Sequence, residues 1–457
     1  MIPAASFKDD LVADVSRLRA FAILLSGSAS PPSPRLAHGV VTFPRRLLPW
    51  IEPWFLAYAC LGVVQGGMLP LLLPLSAGGA AHAGVIVGAM NLAGLTAPIW
   101  AHLADRRRLH RQVLLAGMLA ALVALLLMPT QLNLPLKTAF AAVLGVGFAA
   151  ANTVANIFII EVRPPDEWDA RIGALQALSG IGQVLGLLLA GLIGGRYALA
   201  YGVAAALVAA SAPIAWLTLR GVQVPVRRDS AAAHPPLGGE GWAGAPQRMF
   251  HMSTWQGLRV LLCELEMPFA RLMIVWFVAF IVISALLTML PMALIRVFGV
   301  STGLPATTYA FAAAASLAMY PLAARISKQR GAWPVLQAGF GLRAAAIAVL
   351  AFAFFSGSGR VPLLVALAGF VVLVIAWPLL GVSGTALAAQ LAPGEKGEAL
   401  GLFNASSSLA GAVGAFLGGW AMDTVGYGAV CMLGAVIVGL AALCSGGQRH
   451  VRTCDLE

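Results

Sequence analysis

Charged residues are scarce in this sequence. Asp, Glu, Lys and Arg make up 10% of the 457 residues, and hydrophobic residues make up 60%. Ordinary soluble domains carry roughly 25% charged residues, so this chain cannot cover a soluble surface of its size. The composition therefore predicts a polytopic membrane protein with the lipid bilayer as its surroundings.

The sequence also lacks the motifs of metal centres, disulfide scaffolds and common enzymes. Its five cysteines include no Cys-x-x-Cys pair, so we interpret them as unpaired packing residues. His-Glu-x-x-His and Gly-x-x-x-x-Gly-Lys are missing from the chain. Gly-x-Ser-x-Gly occurs once, at 299–303, between two predicted membrane spans and without the strand–turn–helix context of a nucleophile elbow. The sequence therefore favours neither an ATP-driven pump nor a hydrolase, and we expect no enzyme activity and no cofactor.

Basic residues outnumber acidic ones and are concentrated between the apolar runs. The net charge is +11, but no basic patch lies among base-stacking aromatics, so a nucleic-acid partner is not expected. Sixteen basic residues of the turns and central loop fall on one side, against four on the other, namely Lys137, Arg196, Arg296 and Arg360. Because such an excess marks the cytoplasmic side, we expect a multi-pass inner (plasma) membrane protein with both termini in the cytoplasm.

Apolar runs bounded by charge, Pro or Gly predict twelve membrane-spanning helices, since about 20 apolar residues cross a bilayer. The predicted spans are 54–75, 82–103, 112–130, 136–160, 171–194, 197–219, 269–296, 303–325, 333–354, 361–391, 398–421 and 425–445. The run 361–391 is long for one crossing, so we expect it to be tilted or broken, with Pro378 as the kink.

A polar stretch rich in Gly, Pro and Ala follows the sixth run and cannot bury a core. The predicted organisation is a cytoplasmic tail (1–50), a six-helix half (51–220), a cytoplasmic linker (221–268), a second six-helix half (269–445) and a cytoplasmic tail (446–457). Apolar residues at helical spacing in 253–266 indicate either an interfacial helix or a lead-in to the seventh span.

The two halves repeat in sequence. The segment from Arg171 to Gly191 aligns without gaps on 399–419, at an offset of 228 residues that pairs Gln176 with Asn404. The arginine-rich turn around Asp105 has a counterpart at 324–331, where Lys328 replaces the aspartate. Two parallel six-helix repeats joined by a linker are typical of a class of secondary transporters.

The turn between the second and third runs carries a family motif. Residues 101–111 read Ala-His-Leu-Ala-Asp-Arg-Arg-Arg-Leu-His-Arg. This resembles the small-x-Leu-Ala-Asp-Arg-x-x-x-x-Arg loop of the major facilitator superfamily, although that family usually has Gly where Ala101 and Arg108 stand. The resemblance implies an all-α membrane fold of twelve helices in two pseudo-symmetric halves. It also implies a monomer that carries a small-molecule substrate by alternating access.

The same resemblance implies a latch between the two halves. Asp105 would approach the unpaired N–H groups at the start of the eleventh helix, and Arg106 or Arg111 would hold its carboxylate. The contact would form only while the cytoplasmic mouth is shut, so Asp105→Asn should favour the inward-open state. Lys328 cannot accept such bonds, and the second half should therefore lack the mirror contact.

The predicted spans hold a set of neutral hydrogen-bonding side chains. They are Gln65, Asn91, Asn152, Asn156, Gln176, Gln183, Thr308, Tyr309, Asn404 and Ser407. Such groups need partners, which are either neighbouring helices or a ligand in a wet cavity. The resemblance favours Gln65, Asn152, Gln176 and Asn404 as substrate-binding residues, with Gln176 facing Asn404. Trp377 and Phe148 each have two possible roles: an aromatic wall of that site, or packing in the core.

Acidic residues are missing from the middle of the first, fourth, seventh and tenth spans. Proton coupling is therefore left open: it is either absent or uses groups nearer the helix ends, such as Glu161. Arg343 is the only basic residue near the middle of a span. It is a functional charge, a structural pairing, or a side chain that snorkels to the cytoplasmic face.

The predicted spans offer amide and aromatic side chains but almost no fixed charge. Such a lining favours a neutral or amphiphilic solute over an ionic one. We therefore expect a permease that exports such a compound. Two alternatives remain open, which are uptake of a polar, sugar-like solute and a non-transporting sensor or assembly protein with this fold. A transporter requires a polar site between the two repeats.

Overall fold

The helices coincide with the apolar runs of the sequence. The computed structural model describes residues 51–97, 99–100, 103, 109–130, 133–162, 168–219, 268–391 and 396–445. All regular secondary structure within these ranges is helical. Eleven of the described helices are long and apolar enough to cross a membrane, and the shorter apolar helix Ala80–Thr96 occupies the second predicted span. The predicted all-α membrane fold is confirmed.

Numbered in chain order, the helices are α1 (Phe55–Ser76), α2 (Ala80–Thr96), α3 (His110–Leu127), α4 (Leu134–Val162), α5 (Trp168–Ile193), α6 (Tyr197–Thr218), α7 (Pro268–Phe298), α8 (Gly303–Arg330), α9 (Ala332–Phe355), α10 (Arg360–Gln390), α11 (Lys396–Thr424) and α12 (Tyr427–Ser445). The predicted tails and linker, including the apolar pattern in 253–266, lie outside the described residues except at Pro268, which begins α7.

Successive helices run in opposite directions, so the bundle has two ends. We call the end that carries the α1–α2 turn the Gly78 end, and the opposite end, where α3 begins, the Arg111 end. Glycines in left-handed backbone conformation make tight turns at the Gly78 end, including Gly78 and Gly426, each with φ of 85°. A residue with a Cβ is strained at such φ values, so these turns depend on glycine.

The helices form two six-helix halves that touch mainly through two pairs of helices. Across the halves α2 packs on α11 and α5 packs on α8, whereas α3 packs on α4 and α6 within the first half and α9 packs on α10 and α12 within the second. Each half has its own apolar core, with Leu69 in the first and Phe370 in the second, both fully buried. This arrangement agrees with the predicted pseudo-symmetric halves.

Glycines allow the closest approaches between helices, as the sequence predicts. A methyl group at Gly182 would overlap the Ala59 carbonyl of α1, and one at Gly186 would overlap that of Val63. On α11 a methyl group at Gly414 would overlap the Ile281 carbonyl of α7. Small residues permit such backbone contact in membranes, where apolar burial drives helix association weakly.

Two helices that carry site candidates depart from regular geometry. Residues Val63–Met68 of α1 form a π-helical segment, a distortion common at functional sites. The tenth helix is broken at Ala376, between Arg360–Ile375 and Trp377–Gln390. The break precedes Pro378, which lacks an N–H donor and cannot continue the hydrogen-bond ladder. The kink predicted at Pro378 is therefore confirmed.

Candidate functional site

Two amides meet at mid-depth in the first half. Asn152 on α4 donates from Nδ2 to Oε1 of Gln65 on α1, at 2.9 Å, and both side chains are partly buried. This bond uses only part of the donor and acceptor capacity of the Gln65 amide. Gln65 can therefore hydrogen-bond a solute as well as Asn152.

A third amide lies next to the segment of α1 that carries Gln65. Gln65 belongs to the π-helical segment of α1, and its neighbour Gly66 faces Gln183 of α5, since a Cβ at Gly66 would lie 3.2 Å from Cβ of Gln183. Sequence reasoning gave Gln183 no priority, although its spacing of seven residues from Gln176 places the two amides on one face of α5. We call Gln65, Asn152 and Gln183 the amide group.

Gln176 and Asn404 are exposed side chains towards the Arg111 end of α5 and α11. One turn closer to that end, Gly173 and Gly401 face open space, because an added Cβ would meet nothing within 4 Å at either position. Both helices therefore lack close neighbours at these two glycines, which the sequence repeat makes equivalent. That the two amides face each other across a cavity remains a prediction.

Aromatic rings gather around Trp276 of α7 in the second half. Its ring centroid is 4.5 Å from that of Phe403 on α11 and 6.4 Å from that of Trp377 on α10. Phe280 stacks on it at 5.6 Å. The indole N–H of Trp276 donates to Oγ of Ser407 at 2.8 Å, so its polar atom is satisfied.

We call these rings the aromatic wall (Trp276, Phe280, Trp377 and Phe403). They come from three helices, and the sequence alone did not predict that they meet. Trp377 is partly exposed, whereas Phe148, the other aromatic considered from the sequence, is 2% exposed and lies in the core of the first half. Trp276 and Phe403 are themselves buried, at 2% and 4% exposure, so a solute can contact the wall through Phe280 and Trp377, which are partly exposed.

Arg343 lies next to this wall. Its side chain is fully buried near the middle of α9, and the guanidinium carbon lies 5.3 Å from the centroid of the Trp377 ring on α10. Nε and Nη1 donate no hydrogen bond within the part of the chain that the structure describes. The head group is therefore buried in the bundle and does not snorkel to a face of the membrane.

The predicted latch falls mostly outside the described residues, which omit both Asp105 and Arg106. Arg111 is described, and its guanidinium carbon lies 3.4 Å from the ring centroid of Trp216 on α6. Its Nε and Nη2 are buried and donate no hydrogen bond to any described group. In this conformation Arg111 therefore makes a cation–π contact within the first half.

A different set of polar contacts joins the two halves at the Gly78 end. Asp423 at the end of α11 accepts a hydrogen bond from the Ala81 N–H in the first turn of α2, at 2.7 Å. Arg296 at the end of α7 donates to the Gly78 carbonyl at 2.9 Å and lies 3.4 Å from Asp423. We call these four residues the Gly78 clasp.

In the clasp, the Asp423 carboxylate lies at the N-terminus of α2. The sequence predicts the same kind of contact for Asp105, but at the opposite end of the bundle. At the Arg111 end, Glu52 and Arg171 form an ion pair at 2.9 Å. This pair joins the start of α1 to the start of α5, both in the first half. It therefore does not hold the halves together.

Comparison with known proteins agrees with this architecture. A family model described as Major Facilitator Superfamily matches residues 54–383. No relative was found among curated protein sequences.

Three solved structures with the same fold are transporters at low identity. An auto-inhibited POT family peptide transporter has a TM-score of 0.66 at 13% identity, over 90% of this chain and 98% of that one. The nucleoside transporter NupG has a TM-score of 0.63 at 12% identity, over 86% and 96%. A D-xylose-proton symporter has a TM-score of 0.62 at 16% identity, over 88% and 96%. At these identities the likeness shows the fold alone.

Proposed function

The chain belongs to the major facilitator superfamily and is a secondary transporter, and from this premise we propose that it exports a small neutral or amphiphilic compound by alternating access. The observation that carries the proposal is the asymmetry of the two ends. The Gly78 clasp ties the halves together at one end, while Gln176 and Asn404 are exposed towards the other. These two amides would line the access path that alternating access requires at one end of the bundle.

The charge distribution supports an orientation of the bundle in the membrane. The basic residues of the turns cluster at the Arg111 end, so this end is the cytoplasmic one by the positive-inside rule. On that assignment the described conformation is inward-open, with both termini and the linker 221–268 in the cytoplasm. A solute would then enter the amide group from the inside and leave through the Gly78 end.

The chemistry of the lining supports a compound with an apolar body. The amide group offers neutral hydrogen bonds, and the aromatic wall offers ring faces on the other side of the bundle. Among the side chains that the structure describes, the acidic ones are Glu52 and Asp423, both at helix ends. This set is poorly suited to a solute recognised mainly through positive charge.

Transport assays in membrane vesicles test the proposal. A panel of neutral and amphiphilic compounds should be measured for uptake and efflux in oriented vesicles, with and without a proton gradient. For any compound that is transported, Gln65→Ala should lower its apparent affinity by roughly tenfold, since the compound loses its hydrogen bond to the Gln65 amide. Gln390→Ala, which removes an exposed amide at the end of α10, is the matched control and should leave affinity unchanged.

Uptake of a polar, sugar-like solute is the second candidate. It is favoured by the Asn152–Gln65 hydrogen bond, because paired amides also bind hydroxyl groups. Accumulation of sugars or nucleosides driven by a proton gradient, with no efflux of amphiphiles, would support this candidate and contradict export.

A further inference from the structure

Arg343 is a buried cation without a counter-ion among the residues that the structure describes. Its side chain is 0% exposed, and Nε and Nη1 have no hydrogen-bond partner among the described residues. A guanidinium remains charged under any physiological condition. Holding an unpaired charge in the middle of a membrane protein is costly, so such residues are usually functional.

The surroundings of Arg343 hold it in a fixed place. Gly339, one turn earlier on the same face of α9, allows close contact with α10, because an added Cβ would lie 2.8 Å from a methyl carbon of Leu380. The break in α10 at Ala376 then sets Trp377 over the guanidinium, at 5.3 Å. The charge is therefore positioned by the packing of α9 on α10, as a preorganised site requires.

The groups near the guanidinium satisfy it only in part. The Trp377 ring lies close to the outer limit of about 6 Å for a cation–π contact. Two tyrosines of α8, Tyr309 and Tyr320, lie near Arg343, but neither makes a hydrogen bond to it. A carboxylate would satisfy Nε and an Nη group together, because the planar fork of arginine matches its two oxygens.

We propose that Arg343 binds a carboxylate of the transported compound, whose apolar body lies against the aromatic wall. This inference rests on the proposed function and narrows the substrate class to amphiphilic or aromatic organic acids. Trp377 is partly exposed and covers the guanidinium. A solute that displaces its indole therefore reaches the charge from the site already described.

Binding of two matched probes tests the proposal on the purified full-length protein. 1-Naphthoate and 1-naphthamide have the same ring and differ in charge, and both can be followed by quenching of tryptophan fluorescence. We expect wild type to bind the naphthoate at least about tenfold more tightly, because an ion pair forms out of water. Equal affinities for the two probes, or binding of neither, would overturn the proposal.

Variants assign the preference to Arg343. Arg343→Gln should remove the difference between the probes, and Arg343→Lys should keep part of it, because an ammonium is a point charge without the fork. Arg360→Gln removes an exposed basic residue at the start of α10 and should retain the full preference. If Arg343→Gln still prefers the naphthoate, the carboxylate binds elsewhere and the proposal is wrong.

Thermal unfolding separates binding from a structural role. Loss of an unpaired buried charge relieves its desolvation cost, so Arg343→Gln should unfold at the same temperature as wild type or higher. A clearly lower Tm would mean that the cation–π contact is structural and would overturn the proposal. The proposed function has a separate readout: a protein that transports neutral compounds but binds the two probes equally refutes the carboxylate site alone.

Discussion

The two ends of the bundle differ in how the halves meet. At the Gly78 end the contact is backbone against backbone: a methyl group at Gly84 of α2 would overlap the Ala415 carbonyl of α11, and one at Gly419 would overlap the Ala80 carbonyl. Towards the Arg111 end the approach is looser. At Gly94 the nearest atoms are those of the Ser408 side chain, and at Gly401 there are none within 4 Å.

The other interface between the halves shows the same gradient. On α5 a Cβ at Gly191 would meet Ala306 and the Gly303 backbone of α8 near the Gly78 end. At Gly180, nearer the middle, it would meet only the Leu317 side chain, and at Gly173 nothing. Backbone contacts are rigid and side-chain contacts adjust. The halves therefore diverge from a tightly packed end, the geometry expected of two bodies that rock against each other.

The largest effect is expected from a wedge in the tight interface. Gly84→Leu would force the Ala415 carbonyl away, and such overpacking costs about 1–3 kcal/mol or more. We expect the Gly78 end to open and transport to be lost. Spin labels at His82 and Ser301, exposed positions on opposite halves, would report a longer distance.

The control for this wedge is Gly202→Leu. Gly202 lies on α6, where an added Cβ meets nothing within 4 Å, so the substitution makes the same change in helix propensity without a clash. Its distance distribution should match that of wild type. An unchanged distribution in Gly84→Leu would mean that the packed end does not control the state.

A smaller effect is expected from the Gly78 clasp. Asp423→Asn keeps the shape of the side chain but removes the charge that faces the first turn of α2 and Arg296. Such contacts contribute about 0.3–1 kcal/mol each at exposed sites. The open population at the Gly78 end should therefore rise a few-fold, as measured with the His82 and Ser301 labels.

Arg360→Gln is the control for the clasp, because it removes a basic residue at the same end of the bundle. The two variants change the net charge in opposite directions, so an effect of net charge would shift the distances in opposite directions. If Arg360→Gln shifts them as strongly as Asp423→Asn does, the effect is one of net charge. The clasp would then contribute nothing specific to closure.

The sequence predicts those features that depend on one stretch of chain at a time. The spans follow from apolar length, the break in α10 follows from the missing donor of Pro378, and the close approach at Gly186 follows from a missing side chain. Each of these causes is local, so no knowledge of the neighbouring helices is needed.

The contacts of the site could not be predicted in the same way. Arg296 and Asp423 are 127 residues apart, and each looks like an ordinary charge in a turn. Gln65 and Asn152 were each recognisable as polar groups in apolar helices, but their hydrogen bond depends on the π-helical segment that turns α1. The contact of Arg343 with Trp377 likewise depends on how the broken α10 lies on α9.

The smallest predicted effect concerns the open end. Arg111 stacks on Trp216 in this conformation, whereas the sequence predicts that it holds Asp105 when the Arg111 end is shut. The two roles compete for one guanidinium. Trp216→Leu removes the partner of the open state, which is worth about 0.5–1 kcal/mol, and should raise the closed population by a factor of about 2–5.

Labels at Gln112 and Gln329, exposed positions near the Arg111 end of opposite halves, would then report a larger share of short distances. Trp216→Phe keeps an aromatic face for the guanidinium and should resemble wild type. The effect of Trp216→Leu should also disappear in Asp105→Asn, because the freed arginine then has no carboxylate to hold. A shift that persists without Asp105 would show that Trp216 acts through packing, and the Arg111 end would be governed by contacts other than the predicted latch.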